Sequence, residues 1–284
     1  MDTSRFSKYA WIVLGYTIIV ILWGAYVRAT GSGAGCGSHW PLCNGEVIPR
    51  SDQVETLIEF THRLMSGVSL ILVLILFFYA FRLYPSGHPV RLGSSLSLLF
   101  IITEALVGAG LVLFEWVASD ISSGRVISMA IHLINTFLLL AAITLTAWWV
   151  QKGSALDLSK NKALSAAFVI GFFGVLVIGV SGAVNALGDT LFPVESISAG
   201  IEQDFNPTAH LLLRLRIWHP IVAILVGFYL LLISGLLAMF QSEKLVRVFA
   251  ITLSTLIIVQ LIAGMINLLF IGTNIYADSS PFSS

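Results

Sequence analysis

Seven runs of about 20 apolar residues, separated by short polar segments, leave this chain few folds to choose from. They are Ala10–Val27, Phe60–Phe81, Leu96–Trp116, Val126–Val150, Ala163–Val184, Leu215–Phe240 and Val246–Ile271. In lipid each backbone N–H and C=O must find a partner inside the protein, so runs of this length become helices. With 57% hydrophobic and 11% charged residues among 284, the composition is far from that of a soluble globular chain. The predicted fold class is an all-α integral membrane protein. A net charge of zero and the lack of any basic tract exclude nucleic acid as a partner.

Basic residues orient the spans. Arg5, Lys8, Arg82, Arg91, Lys152, Lys160, Lys162, Lys244 and Arg247, nine of the fifteen, fall on one side, read as cytoplasmic. Asp52, Glu55, Asp120, Asp189, Glu195, Glu202, Asp204 and Asp278 gather on the other. The N-terminus is therefore expected inside, and the C-terminus of this chain outside. The first run has no small-residue cleavage site and flows into a Gly-rich loop, so it reads as a retained span rather than a signal peptide. No Arg- and Ser-rich transit peptide precedes it, which favours a bacterial plasma membrane.

Three histidines, His62, His132 and His219, are each expected about one turn inside the start of a span entered from the external side. Histidine within a membrane span is rare and by default functional. Several at one depth suit a planar, metal-bearing ligand such as heme, whose iron takes an imidazole from each of two facing helices. Ser128, Asn135 and Thr136 surround His132 on its own helix with small or polar groups, and Ala223 lies one turn beyond His219. Glu59 stands three residues before His62 on the same helical face, placing a carboxylate beside whatever His62 binds. It either handles protons there or merely complements the helix N-terminus, with Arg63 turned to headgroups. His39, His88 and His210 fall in loops and are expected to be solvated.

The stretch from Arg28 to Gly45 is too long and varied for a simple turn, and reads as an external lid over a cofactor pocket. It lacks the Gly-Lys-Ser/Thr ending of a phosphate loop. Arg28, at the membrane edge, either snorkels to headgroups or holds a heme propionate. Cys36 and Cys43 are the chain's two cysteines, and in an oxidising compartment a disulfide between them is favoured. Such a bond is either a structural staple or a redox-active pair.

The second half of the chain overlays the first. Gly182 lies 158 residues after Gly24, His219 lies 157 after His62, and the run Glu104–Phe114 matches Gln260–Phe270 at 156. The expectation is two pseudo-symmetric four-helix repeats, over 1–152 and 153–284, with histidines on the second and fourth helix of each. An offset of 156 puts the fourth histidine past Ser284, so the eighth helix is expected to be missing, through truncation or in a natural seven-span variant. The segment after Phe270 reads as polar, turn-rich and external. The counterpart of Glu59 is Arg216, an asymmetry that suggests an acid serving a reacting substrate in one pocket and a guanidinium neutralising the propionates of a resident heme in the other.

Arg28–Cys36, Trp40–Gly45, Glu59–Arg63, His132–Thr136 and the His219-Pro220 helix together resemble the heme A synthase family over essentially the whole chain. That resemblance implies eight transmembrane helices in two four-helix halves, and oxidation of the C8 methyl of heme O to the formyl group of heme A for cytochrome oxidase assembly. It implies a substrate site with His62 and His132 at the heme O iron and Glu59 in catalysis. It also implies a heme b held through two histidines, of which His219 is present, and an external pair in Cys36 and Cys43. The partners it implies are heme O, the lipid bilayer, a heme O synthase, an electron donor or acceptor, and further copies of the chain. Two rival readings remain: a di-heme b-type cytochrome passing electrons from quinol, and a heme-free membrane assembly scaffold whose histidines are polar glue between helices.

Overall fold

Each of the seven apolar runs is largely helical over its described residues, and each helical segment begins in the polar residues before its run. The computed structural model of the chain describes residues 3–152, 161–194, 196–240 and 243–269. Its helices are α1 (Thr3–Ala29), α2 (Val54–Leu83), α3 (Pro89–Leu113), α4 (Ser123–Lys152), α5 (Lys162–Leu191), α6 (Ile197–Phe205), α7 (Leu211–Arg216), α8 (Trp218–Phe240) and α9 (Lys244–Leu269), with a 3-10 turn at Ser32–Ala34. Seven segments are long and apolar enough to cross a membrane, α7 and α8 counting as one. The protein is a multi-pass, all-helical membrane protein. The expected external tail after Phe270 and the expected boundary between 152 and 153 fall at or beyond the edge of the described residues.

Polar caps set several helix starts. His88 accepts the Val90 N–H at 3.2 Å ahead of Pro89, a residue suited to the first helical position because its missing N–H is not needed there. Asn161 caps α5, Ser196 caps α6, and His210 caps α7 through the Leu212 N–H. His88 and His210 are thus half-buried caps against Tyr84 and Phe192, and not solvated loop residues. The break between α7 and α8 also has a local cause. Pro220 has no N–H to give to the Arg216 carbonyl, and its ring crowds that group. At the other boundary missed by the hydropathy pattern, α3 ends at Leu113, before Trp116, and Glu115 then takes a left-handed backbone at φ 58°.

Two compact units divide the chain, Met1–Asp157 and Leu158–Ser284. In the first, α1 packs on α2 and α4, α2 on α3, and α3 on α4, so α2 and α4 face each other across the diagonal of a four-helix bundle. Its tight core lies at one end: Phe6, Val13, Val73, Leu76, Val90, Leu139 and Ile143 are essentially unexposed. Tyr9 ties α1 to α2 there through the Leu72 carbonyl at 2.8 Å. None of the three span histidines belongs to that core. The opposite end of the bundle is lined by glycine and polar groups.

In the second unit α8 packs on both α5 and α9, and α7 leans on α5 and α6. Glycines allow the close approaches. Gly174 faces Val226, and a Cβ there would come within 2.7 Å of its side chain. Tyr229 donates to the Ala167 carbonyl at 2.9 Å, fixing the register of α8 on α5.

Candidate functional site

At the glycine-lined end of the first unit, the loop from Thr30 to Gln53 folds down onto the first turns of α2. Thr56, Glu59 and Arg63 follow one another at spacings of three and four, so they form a single stripe on that helix. Thr56 donates to the Gly35 carbonyl at 2.7 Å. Glu59 Oε2 accepts the Cys36 N–H at 2.8 Å, and its Oε1 accepts from Arg63 Nε at 3.0 Å and from Arg63 Nη2. Arg63 Nη1 reaches the carbonyls of His39 and Leu42, each at 2.6 Å. Arg63 therefore points into the loop rather than toward headgroups, and the buried Glu59 carboxylate is the anchor of the loop. Cys36 and Cys43 are disulfide-bonded, and neither is accessible. Exchange with an outside thiol requires this loop to lift.

His62, three residues past Glu59, turns from that stripe toward α1. Its ring rests on bare backbone of α1: a Cβ on Gly24 would lie 2.9 Å from His62 Cε1. His62 is eight residues past the start of α2, and His132 nine past the start of α4. Both are deeper than one turn, about 12 Å along their helices, because the polar opening turns of α2 and α4 are helical too. The two imidazoles thus stand at similar positions along diagonal helices. His62 Nδ1 is buried without a hydrogen-bond partner.

A residue not assigned a role from sequence completes this end. Glu104 of α3 lies with Oε1 3.4 Å from His132 Nδ1. That separation is in charge-pairing range, but the ring is not aligned for a hydrogen bond. Thr136 donates to Oε1 and Asn135 Nδ2 to Oε2 at 2.5 Å. Asn135 is itself held by the Thr103 hydroxyl at 2.6 Å and by the Phe100 carbonyl at 2.8 Å. The signal was present in the sequence: a lone carboxylate within a 25-residue apolar helix is costly and so by default functional. Arg28 is half-buried at the loop end of α1, and Arg125 of α4 gives Nη1 to the Ala118 and Asp120 carbonyls, shaping the α3–α4 connection.

In the second unit His219 lies eight residues past Leu211 and repeats the glycine contact: a Cβ on Gly182 would sit 3.0 Å from its ring, and Ser181 Oγ is 3.0 Å from its Nδ1. Arg216 departs from its expected role. Its guanidinium is held between Asp204, 2.9 Å from Nε, and Asp189, 3.1 Å from Nη1. The cation expected to meet propionates already neutralises two aspartates of its own unit.

The first unit offers two imidazoles and a pinned carboxylate that could serve a metalloporphyrin. Interhelical glue would leave the imidazole nitrogens hydrogen-bonded across the bundle. Here His62 Nδ1 is an orphan, a pinned carboxylate stands behind His132, and the His62 ring lies against the bare backbone of Gly24. Among the described residues no cluster of three or more His, Cys, Asp or Glu could hold a bare metal ion.

Fold and site together define a multi-pass helical membrane protein with histidines set within its spans. The chain belongs to the cytochrome oxidase assembly protein family (COX15-CtaA), whose family model matches residues 7–277. It is 52% identical over 264 residues to a protein of Thermus thermophilus named protoheme IX farnesyltransferase, covering 93% of this chain and 43% of that protein. Proteins named heme A synthase are also similar. That of Halalkalibacterium halodurans is 45% identical over 97 residues, 34% of this chain and 33% of that protein; that of Bacillus cereus is 41% identical over 112 residues, 39% and 36%. The chain thus spans less than half the length of these curated relatives.

Proposed function

We propose that this chain is a heme A synthase that oxidises the C8 methyl of heme O to the formyl group of heme A in a bacterial plasma membrane. The observation that carries the reading is the pair His62 and His132, at similar positions along diagonal helices of the first bundle. In this reading residues 1–152 form the substrate unit, and residues 153–284 form a cofactor unit in which His219 ligates heme b. The heme b, when bound, supplies redox chemistry that no side chain here provides. The two names found among the relatives meet at one molecule, since heme O is the farnesylated product that a heme A synthase consumes. A heme O synthase is accordingly the proposed upstream partner, with an electron acceptor downstream and further copies of the chain as the proposed assembly.

The protein's own groups then divide the work. His62 and His132 hold the substrate porphyrin across the bundle, and Gly24 leaves the space in which the His62 ring lies. Arg28, without a carboxylate partner among the described residues, meets a propionate. Glu59 couples the lid to the site, joining the disulfide loop to the helix that carries His62; a role in proton handling requires it to exchange its Arg63 and Cys36 N–H contacts. Arg216 serves the second unit through its aspartates. The basic-residue bias places the lid on the external side, where Cys36 and Cys43 oxidise.

The test is to express the chain in membranes supplied with heme O and extract the bound hemes. A formyl-bearing product is the expected result. Unmodified heme at full occupancy indicates the electron-transferring cytochrome instead, and purified protein without a Soret band indicates the scaffold.

A further inference from the structure

The two imidazoles of the first unit are not equivalent. Behind His132 stands the Glu104 carboxylate at 3.4 Å, and that carboxylate cannot swing away. Thr136 holds one oxygen and Asn135 the other, while Asn135 is fixed in turn by Thr103 and the Phe100 carbonyl. Behind His62 there is no such group among the described residues. Its Nδ1 has no partner, and the acid on its own helix, Glu59, is committed to Arg63 and the Cys36 N–H. In the second unit His219 has a third arrangement, a neutral hydroxyl from Ser181.

We propose that Glu104 is a positioning residue that makes His132 the firm ligand of the substrate heme and leaves His62 as the ligand that opens. This rests on the reading that the heme iron sits between His62 and His132. A carboxylate accepting the Nδ1–H fixes the ring in one tautomer, presents Nε2 to the metal and raises its donor strength; losing such a partner costs about 10- to 100-fold in metal affinity. At 3.4 Å the Glu104 oxygen is near enough to His132 Nδ1 to accept that hydrogen bond if the ring realigns. An imidazole with no partner at Nδ1 has neither its tautomer nor its donor strength fixed. A resident heme needs two good ligands, whereas a porphyrin that arrives as substrate and departs as product needs one side that holds and one that lets go. The step is ligand exchange alone, with no change in oxidation state.

The experiment titrates the full chain and its variants with heme b, the probe used, reading the first-unit heme by stoichiometry, spectrum and dissociation rate. The helical circular dichroism and thermal unfolding of each variant serve as the folding standard. His62→Ala is expected to retain first-unit heme with a five-coordinate spectrum, and His132→Ala to lose it. Glu104→Gln is expected to speed heme loss by about 10- to 100-fold, and Glu104→Asp to restore much of the wild-type rate. Should Glu104→Gln fail to fold, the contrast between His62→Ala and His132→Ala still decides. Equal loss in the two histidine variants, or an unchanged rate in Glu104→Gln, overturns the inference while leaving the iron where it was proposed. If neither histidine variant alters heme content or spectrum, the underlying reading itself fails.

Discussion

Substituting alanine for Gly35 is expected to detach the disulfide loop from α2 and to destabilise the first unit by about 3 kcal/mol, the upper part of the range for overpacking. A Cβ at this position would lie 2.4 Å from the Glu55 carbonyl oxygen and 2.7 Å from the Thr56 nitrogen. Both are backbone atoms within the first turn of a helix, so no side chain can rotate out of the way. The loop has to move instead, and it takes its anchors with it: the Gly35 carbonyl leaves Thr56 and the Cys36 N–H leaves Glu59. The cleanest measurement is chemical. Cys36 and Cys43 are inaccessible in the docked loop, so their reduction and alkylation in the detergent-solubilised protein should be slow, and should accelerate at least about tenfold if docking is weakened by about 1.4 kcal/mol or more. An unchanged rate in Gly35→Ala would show that the loop is held by something other than this contact.

Arg216→Leu should lower the stability of the second unit by about 2 kcal/mol, less than for a fully buried pair because one partner reaches solvent. The Arg216 side chain is 8% exposed and Asp204 13%, so removing the cation leaves a nearly buried carboxylate alone, whereas Asp189, at 42%, can hydrate. Replacing Arg216 and Asp204 together by apolar residues of similar volume should recover most of the loss, since no isolated charge then remains. The comparison is to be made on thermal unfolding of protein stripped of heme. A residue whose main partner is a propionate would leave stripped protein unchanged and act only on the loaded form. A fall in midpoint without heme therefore identifies the aspartates as the groups Arg216 serves.

The spans were legible because a run of apolar residues is a one-dimensional signal and the bilayer admits few answers to it. Their starts were not. Val54–Glu59 and Ser123–Arg125 are helical through hydrogen bonds that hydropathy does not register, so His62 and His132 lie deeper than expected. Residue type marked those two and His219, as imidazole is rare within spans. Glu104 carried the same mark, but in the sequence it served only to align with Gln260, and its contact with His132 depends on α3 packing against α4. The partners of Arg63 and Arg216 were not legible, because the carbonyls and carboxylates they meet come from loops whose fold no local pattern specifies.

The short helix α6 was absent from the expectation altogether. Its nine residues carry Ile197, Ile201 and Phe205 at four-residue intervals, all exposed, while Gly200 is buried on the other side. It rises about 13 Å, less than half of the roughly 30 Å hydrocarbon layer, so it can graze a membrane boundary without crossing it. Reporter tags fused just before Ser196 and just after Asn206 should accordingly become labelled from the same compartment, and a topology map that scores the intervening apolar stripe as a crossing would invert every segment downstream of it.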